Sequence, residues 1–205
     1  MIAVLTGDII QSTERNKDHW LPALKAVLAS QGAPAADWEI YRGDEFQLRL
    51  KQPENAVTAA FRIKAHLKAV ADTDIRIAIG FGPPEGSPKN GISITESNGP
   101  AFVHSGRKLD EIKKDRVNLA IASAHPEFDR EINLMLQWVL LTADNWTTVS
   151  AEIVDFFLEN PQLSQNDMAQ RLKIQQSAIS QRLKRASFDL LWESLLYFTD
   201  KIQHL

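Results

Sequence analysis

Two Gly-Asp pairs supply the residues in this chain that are best suited to metal or phosphate chemistry. Gly7-Asp8 follows the apolar run of residues 2–5, and Gly43-Asp44 lies between two alternating segments that predict a hairpin. Two neighbouring carboxylates with open positions suit Mg²⁺, which completes its shell with water and nucleotide phosphates. Asp8 and Asp44 are therefore candidate metal ligands. The alternative, which composition alone favours, is that Asp8 caps a helix and Asp44 forms a turn.

Two hydroxyl residues, Ser12 and Thr13, follow the first Gly-Asp pair, where the next helix is predicted to begin. Hydroxyl groups and free backbone N–H groups at a helix N-terminus bind phosphate oxygens. Ser12 and Thr13 are therefore predicted to contact the phosphates of a nucleotide.

The second candidate site is the segment of residues 164–186, whose pattern is typical of a helix-turn-helix. Its apolar positions form a small core between two helices: Met168, Ala169, Leu172, Ile174, Ile179 and Leu183. The opposite face of the second helix carries side chains that can bind base edges or phosphates. We predict as DNA contacts Gln176, Ser177, Ser180, Gln181, Lys184 and Arg185. The alternatives are an ordinary helical hairpin and a winged-helix scaffold used only for dimerisation.

The turn of this motif has Lys173 where Gly is most common. Lys173 must therefore adopt a left-handed conformation or belong to a different turn. Five basic residues and one acid give residues 164–186 a net charge of +4, in a chain whose net charge is -3. This asymmetry predicts salt-sensitive attraction to phosphate in the C-terminal part.

Composition limits the class of protein. The 205 residues are 44% hydrophobic and 24% charged, which is typical of a globular protein with an adequate core. The absence of Cys excludes disulfides and Cys-based zinc sites, and the five His residues lack tight ligand spacing. The N-terminal apolar run is too short for a signal peptide, and no segment has the length of a membrane span. We expect a cytoplasmic protein that has no contact with membranes.

The elements that must position these residues follow the order strand, helix, strand, strand, helix, strand over residues 2–81. This order predicts a ferredoxin-like fold built on an antiparallel sheet. Further along the chain we predict a loop at 82–91, a short strand at 92–94, a helix at 99–113, a strand at 117–121 and helices at 129–141 and 151–159. The predicted class is α+β with a small all-α helix-turn-helix domain. The predicted domains are residues 1–125, a helical connector at 126–146 and residues 147–205.

A strongly apolar helix is predicted after the helix-turn-helix. Its apolar residues exceed what a small domain needs: Phe188, Leu191, Trp192, Leu195, Leu196 and Phe198. They either pack against the N-terminal domain or form a dimer interface, and the sequence does not separate these two interpretations. A homodimer would suit two DNA half-sites.

Several motifs carry a resemblance to known families. TGDIIQST at residues 6–13 resembles the first metal-binding motif of class III nucleotide cyclases, and RGDEF at 42–46 resembles their second motif and the signature of GGDEF diguanylate cyclases. Residues 76–80 and 99–113 resemble the next cyclase strand and the helix that holds the late catalytic residues. The whole chain, with its C-terminal helix-turn-helix, most resembles the SatD family. The cyclase resemblance implies a ferredoxin-like domain with Asp8 and Asp44 as metal ligands.

Departures from the cyclase pattern argue against efficient catalysis. The purine-selecting Lys of the cyclases corresponds to Ile40 here, and the first Gly of the diguanylate signature is replaced by Arg42. A metal pair without these groups can hold a nucleotide without promoting ring closure.

The late catalytic residues of the cyclases are also incomplete. Their Asn and Arg, four positions apart, fall on Val103 and Arg107 or on His104 and Lys108, so neither register supplies both. We predict that Arg107 or Lys108 contacts phosphate.

Three functions are compatible with the sequence, and the first of them is the one we predict. The first is a DNA-binding transcriptional regulator whose cyclase-like domain binds a nucleotide or another phosphorylated ligand. The second is a magnesium-dependent nucleotide-processing enzyme that is localised by its helix-turn-helix. The third treats both domains as protein-interaction modules.

Overall fold

Strands and helices alternate through the first part of the chain. In order, these elements are β1 (Ile2–Ile9), α1 (Lys17–Ala29), β2 (Trp38–Tyr41), β3 (Glu45–Leu50), a 3₁₀ turn (Pro53–Asn55), α2 (Ala56–Ala71), β4 (Ile75–Gly82), α3 (Pro100–Asp115) and β5 (Leu119–Ala122). The computed structural model describes residues 1–84, 94 and 98–205. The predicted strand around Ile92 and most of the predicted loop at 82–91 lie outside these residues.

The five strands form one sheet in the order β2-β3-β1-β4-β5. The pairs β2-β3, β3-β1 and β1-β4 are antiparallel, and β5 pairs in parallel with β4. The sheet is therefore mixed, whereas the sequence predicted an antiparallel one. The physical reason is that α3 connects β4 to β5 by a crossover, and crossover connections join parallel strands. The predicted α+β class is confirmed.

Helices cover both faces of the sheet. Alternate residues of β1, including Leu5 and Ile9, are buried in the large core that α1 and α2 also form. Thr6 points to the other face, where its hydroxyl lies 2.8 Å from that of Ser105 on α3. The packing of α3 on β4 is close because Gly80 has no side chain: a Cβ there would lie 2.0 Å from the carbonyl oxygen of Ala101.

The remainder of the described chain is helical. It contains α4 (Pro126–Ala143), α5 (Thr148–Glu159), α6 (Gln165–Leu172), α7 (Gln176–Arg185) and α8 (Phe188–Gln203). Helix α5 packs on α2, and the apolar residues of α4 to α8 continue the core of the sheet. The division into domains at residues 125 and 146 stays a prediction.

The apolar residues of α8 take part in this shared core. Phe188, Leu191, Leu195 and Phe198 are buried, which supports the interpretation that they pack within the chain. Leu196, in contrast, is exposed. The four buried side chains are not available to a second copy, and a homodimer formed through exposed residues stays a prediction.

The start of the first helix was predicted too early. Helix α1 begins at Lys17 and is capped by the side chain of Asn16, which accepts the backbone N–H of Asp18. Ser12 and Thr13 lie instead in a turn, because Gln11 adopts a left-handed φ of 56° and its carbonyl accepts the N–H of Glu14. No helix among the described residues combines the length and the apolar character that crossing a bilayer requires.

Candidate functional site

The sheet register brings the first carboxylate beside two other charged residues. Asp8 on β1 is paired directly with Glu45 on β3 and with Arg76 on β4. Directly opposed residues of an antiparallel pair lie on the same face of the sheet. Glu45 therefore shares the face of Asp8, which the sequence alone left undecided because a shift of one residue reverses every side chain.

A lysine from α3 completes this group of charges. Lys113 Nζ lies 2.9 Å from Glu45 Oε1 and 3.7 Å from Asp8 Oδ2, and Arg76 Nη1 donates to Asp8 Oδ2 at 3.3 Å. We name Asp8, Glu45, Arg76 and Lys113 the sheet cluster. Each acid in it contacts at least one cation.

Burial affects the protonation of the cluster. Desolvation raises the pKa of Asp8, although the charges of Lys113 and Arg76 oppose that change. Desolvation also lowers the pKa of Lys113, but its hydrogen bond to Glu45 and the charge of Asp8 outweigh this effect and leave the pKa above its ordinary value. Among the described residues, Asp8 Oδ1 is buried without a hydrogen-bond partner.

The second predicted carboxylate lies at the neighbouring turn. Asp44 accepts a hydrogen bond from the hydroxyl of Ser12, and its charge acts on Asp8. The structure thus brings Asp8, Asp44 and Ser12 together, as the predicted site requires. Thr13 is exposed beside Ser12. The turn residues Arg42 and Gly43 both have positive φ, and the guanidinium of Arg42 is 80% exposed at 3.8 Å from Glu45.

The predicted phosphate contacts on α3 are not part of the sheet cluster. Arg107 is exposed, and Lys108 Nζ lies 2.6 Å from Glu111 Oε2 on its own helix. Lys113 is the cation of α3 that reaches the acids. The available signal was its helical spacing from the buried Leu109, which places Lys113 above the same face.

The fit of this site to magnesium is poor in the arrangement observed. Across residues 1–84, 94 and 98–205, no three His, Asp or Glu side chains are placed to hold a metal ion together. Asp8 Oδ2 already contacts the cations of Arg76 and Lys113, and Asp44 accepts a hydrogen bond from Ser12. A divalent ion would have to displace Lys113, so magnesium binding stays a prediction.

The second candidate site is the outer face of α7. Ile179 and Leu183 of this helix are buried against the neighbouring helices. All six predicted contacts are exposed: Gln176, Ser177, Ser180, Gln181, Lys184 and Arg185. Gln176, three residues before Ile179, lies in line with the buried row, and the other five lie outside that row. The helix thus presents a polar and basic surface of about three turns.

Local interactions fix the position of α7. Ser164 and Asp167 form a reciprocal capping box at the start of α6. Lys173 ends α6 with a left-handed φ of 54°, which is the first of the two alternatives that the sequence left open. Gln176 Nε2 donates to Gln165 Oε1 at 2.8 Å and connects the starts of the two helices.

The basic residues of this region differ in availability. Arg182 Nη1 donates to Glu152 Oε2 on α5 at 2.8 Å, and Arg171 donates to Asn160 at 3.2 Å. Lys184 and Arg185 form no ion pair with the part of the chain that the structure describes. Their charges are therefore available to an external anion.

Comparison with known proteins gives one match. The model of the SatD family matches residues 2–196, nearly the whole chain. Neither the curated proteins nor the solved structures contain a match.

Proposed function

This chain belongs to the SatD family, and we propose that it is a DNA-binding regulator in which α6 and α7 form a helix-turn-helix. The observation that carries the proposal is the exposed face of α7, whose opposite face is buried. A recognition helix needs this division, because one face must hold the helix on the protein while the other enters the major groove.

The side chains on the exposed face match the chemistry of base edges. Gln181 can pair in two places with adenine, and Lys184 can reach guanine or a phosphate. Arg185 adds a free positive charge at the same end of α7. The capped start of α6 and the left-handed Lys173 hold the turn between the helices in one geometry.

We further propose that the N-terminal sheet is ferredoxin-like and binds a nucleotide or another phosphorylated ligand near Asp8 and Asp44. The antiparallel order β2-β3-β1-β4 supports the first part of this proposal. Ligand binding is supported by the exposed side chains of Arg42 and Thr13. They lie near the hydrogen-bonded pair of Ser12 and Asp44.

Helix α5 offers a physical connection between the two sites. Asp155 of α5 lies 2.8 Å from His66 Nδ1 on α2, and Glu159 Oε1 lies 2.6 Å from Arg62 Nη2. Glu152, one turn earlier in the same row of α5, forms an ion pair with Arg182 of α7 at 2.8 Å. A ligand that favours one position of α2 over another would therefore bias α7 through α5.

The test of DNA binding begins with selection of a target from random duplexes by the full-length protein. We expect Lys184→Ala to weaken binding by about tenfold at all sequences and to reduce the salt slope by ~1. Gln181→Ala is expected to relax the preference at one base position, at a cost of ~1–3 kcal/mol for the preferred base. Gel-shift titrations between 50 and 200 mM salt would measure both effects.

The matched controls are Lys25→Ala on α1 and Gln203→Ala at the end of α8, two exposed positions far along the chain from α7. Neither is expected to change the affinity by more than about twofold. Absence of any duplex binding at low salt, or equal effects of the control and α7 variants, would overturn the proposal.

Ligand binding is tested by thermal unfolding with ATP and GTP, each with and without Mg²⁺. A ligand that binds only the folded state must raise the Tm. A ligand concentration of 100 times the Kd stabilises the folded protein by ~2.7 kcal/mol. If nucleotide phosphates draw Lys113 away from Asp8 and leave that carboxylate to the ion, the rise depends on magnesium. Asp8→Asn and Asp44→Asn are then expected to abolish it, and Asp189→Asn, on the exposed side of α8, is expected to retain it. A rise that all three variants retain would place the ligand elsewhere, and product formation would favour the enzyme alternative.

A further inference from the structure

Helix α4 has an apolar stripe on its exposed side. Leu134, Trp138 and Leu141 follow each other at steps of four and three residues, and their exposed fractions are 57%, 68% and 65%. Helical spacing of this kind places the three side chains in one row. An exposed Trp at the centre of such a row is unusual for a surface that contacts only water.

Helix α8 extends this stripe. At one end of α4, Glu131 Oε1 accepts the hydroxyl of Tyr197 at 2.5 Å and lies 2.9 Å from Lys201 Nζ. At the other end, Trp138 and Leu190 line the same shallow groove between the helices. Five exposed side chains form what we call the α4–α8 surface: Leu134, Trp138, Leu141, Leu190 and Tyr197.

The exposed apolar area of this surface is close to the area that a protein–protein interface buries on one partner. Its five side chains leave on the order of 600 Å² exposed, which is at the upper end of the ~300–600 Å² that the largest apolar patch of a typical monomer covers. A standard interface covers ~800 Å² on each partner. The α4–α8 surface therefore provides most of the required area, and the surrounding polar residues can supply the remainder.

Charge and symmetry indicate which partner fits. Exposed acids and bases both border the surface, among them Glu131, Glu193 and Arg130, so it lacks the excess of basic charge that would suit nucleic acid or anionic lipid. Along the helix, Leu134 lies four residues before Trp138 and Leu141 lies three residues after it. An antiparallel pair of identical α4 helices therefore places Leu134 of each copy against Leu141 of the other, with Trp138 beside the two-fold axis.

We propose that the α4–α8 surface binds the same surface of a second copy of this chain. The proposal deepens the proposed DNA-binding function, because α7 leads directly into α8 and a dimer fixes the separation of two α7 helices. Its test requires no DNA, so failure of one proposal is distinguishable from failure of the other.

The first test is sedimentation velocity of the full-length protein from 1 to 100 µM. The wild type is expected to sediment as a particle of twice the 23.0 kDa chain mass. Leu141→Glu is expected to raise the dimer Kd at least 100-fold, because it buries a charge against the apolar side chains of the partner. The matched control is Leu196→Glu, since Leu196 is 53% exposed on α8 but lies outside the surface. Circular dichroism verifies that both variants fold.

The second test uses the absence of Cys from the chain. Trp138→Cys is expected to form an intermolecular disulfide under mild oxidation, and Leu196→Cys is expected to remain monomeric on a non-reducing gel. A wild type that is monomeric at 100 µM, or equal cross-linking of the two variants, would overturn the proposal. Gel-shift binding by such a monomer would leave the DNA-binding function standing.

Discussion

Gly80→Ala is expected to lower the free energy of unfolding by about 3 kcal/mol. The added Cβ would lie 2.0 Å from the carbonyl oxygen of Ala101 and 2.5 Å from the backbone nitrogen of Ser105. Both contacts are with the backbone of α3, so no side-chain rotation can relieve them. Helix α3 must move away from β4, which weakens the packing between them. Urea unfolding followed by circular dichroism would measure the change.

The same helix provides the control. Gly106 lies within α3, and a Cβ at this position meets no atom within 4 Å. Gly106→Ala is expected to raise the free energy of unfolding by ~0.5–1 kcal/mol, because Ala loses less backbone freedom in a helix. If Gly80→Ala were as stable as the wild type, the close packing of α3 on β4 would be wrong.

Lys64→Ala is expected to lower the free energy of unfolding by about 3 kcal/mol. The side chain of Lys64 is only 4% exposed, and its Nζ lies 2.6 Å from Asp74 Oδ1 and 2.7 Å from Asp144 Oδ1. Asp74 precedes β4, and Asp144 caps the end of α4, so one ammonium group connects α2 to both. Removal of Lys64 leaves two partly buried carboxylates without their counter-charge.

Lys68 provides the comparison on the same helix. It also pairs with an aspartate, Asp72 at 2.8 Å, but the carboxylate of Asp72 is 63% exposed. Exposed pairs of this kind are screened by water and contribute little, so Lys68→Ala is expected to cost less than ~0.5 kcal/mol. Lys64→Met retains most of the aliphatic packing and separates the effect of charge from that of volume. Equal stabilities of Lys64→Ala and Lys68→Ala would refute the connecting role of Lys64.

The position of Lys113 illustrates how far a sequence pattern can locate a charged contact. The helix over 99–113 was predicted, and α3 covers Pro100–Asp115. The cation that reaches Asp8 is nevertheless Lys113, while Lys108 pairs with Glu111 of its own helix. The choice depends on where α3 lies along β4, and the close contact at Gly80 sets that position.

Features that depend on near neighbours in the chain could be predicted from the sequence. Helical periodicity placed Ile179 and Leu183 on the buried face of α7 and left Gln181 and Lys184 exposed. The sequence required Lys173 either to be left-handed or to belong to a different turn, and Lys173 is left-handed in the structure.

Features that depend on contacts between distant segments became visible only in the folded chain. The pairing of Asp8 with Glu45 required the register of β1 on β3, and the parallel position of β5 required the path of α3. The placement of α5 against α2 could not be inferred from either helix, because an amphipathic pattern identifies a buried face but not its partner. Periodicity specifies which side of an element is covered, and the packing of the whole chain specifies what covers it.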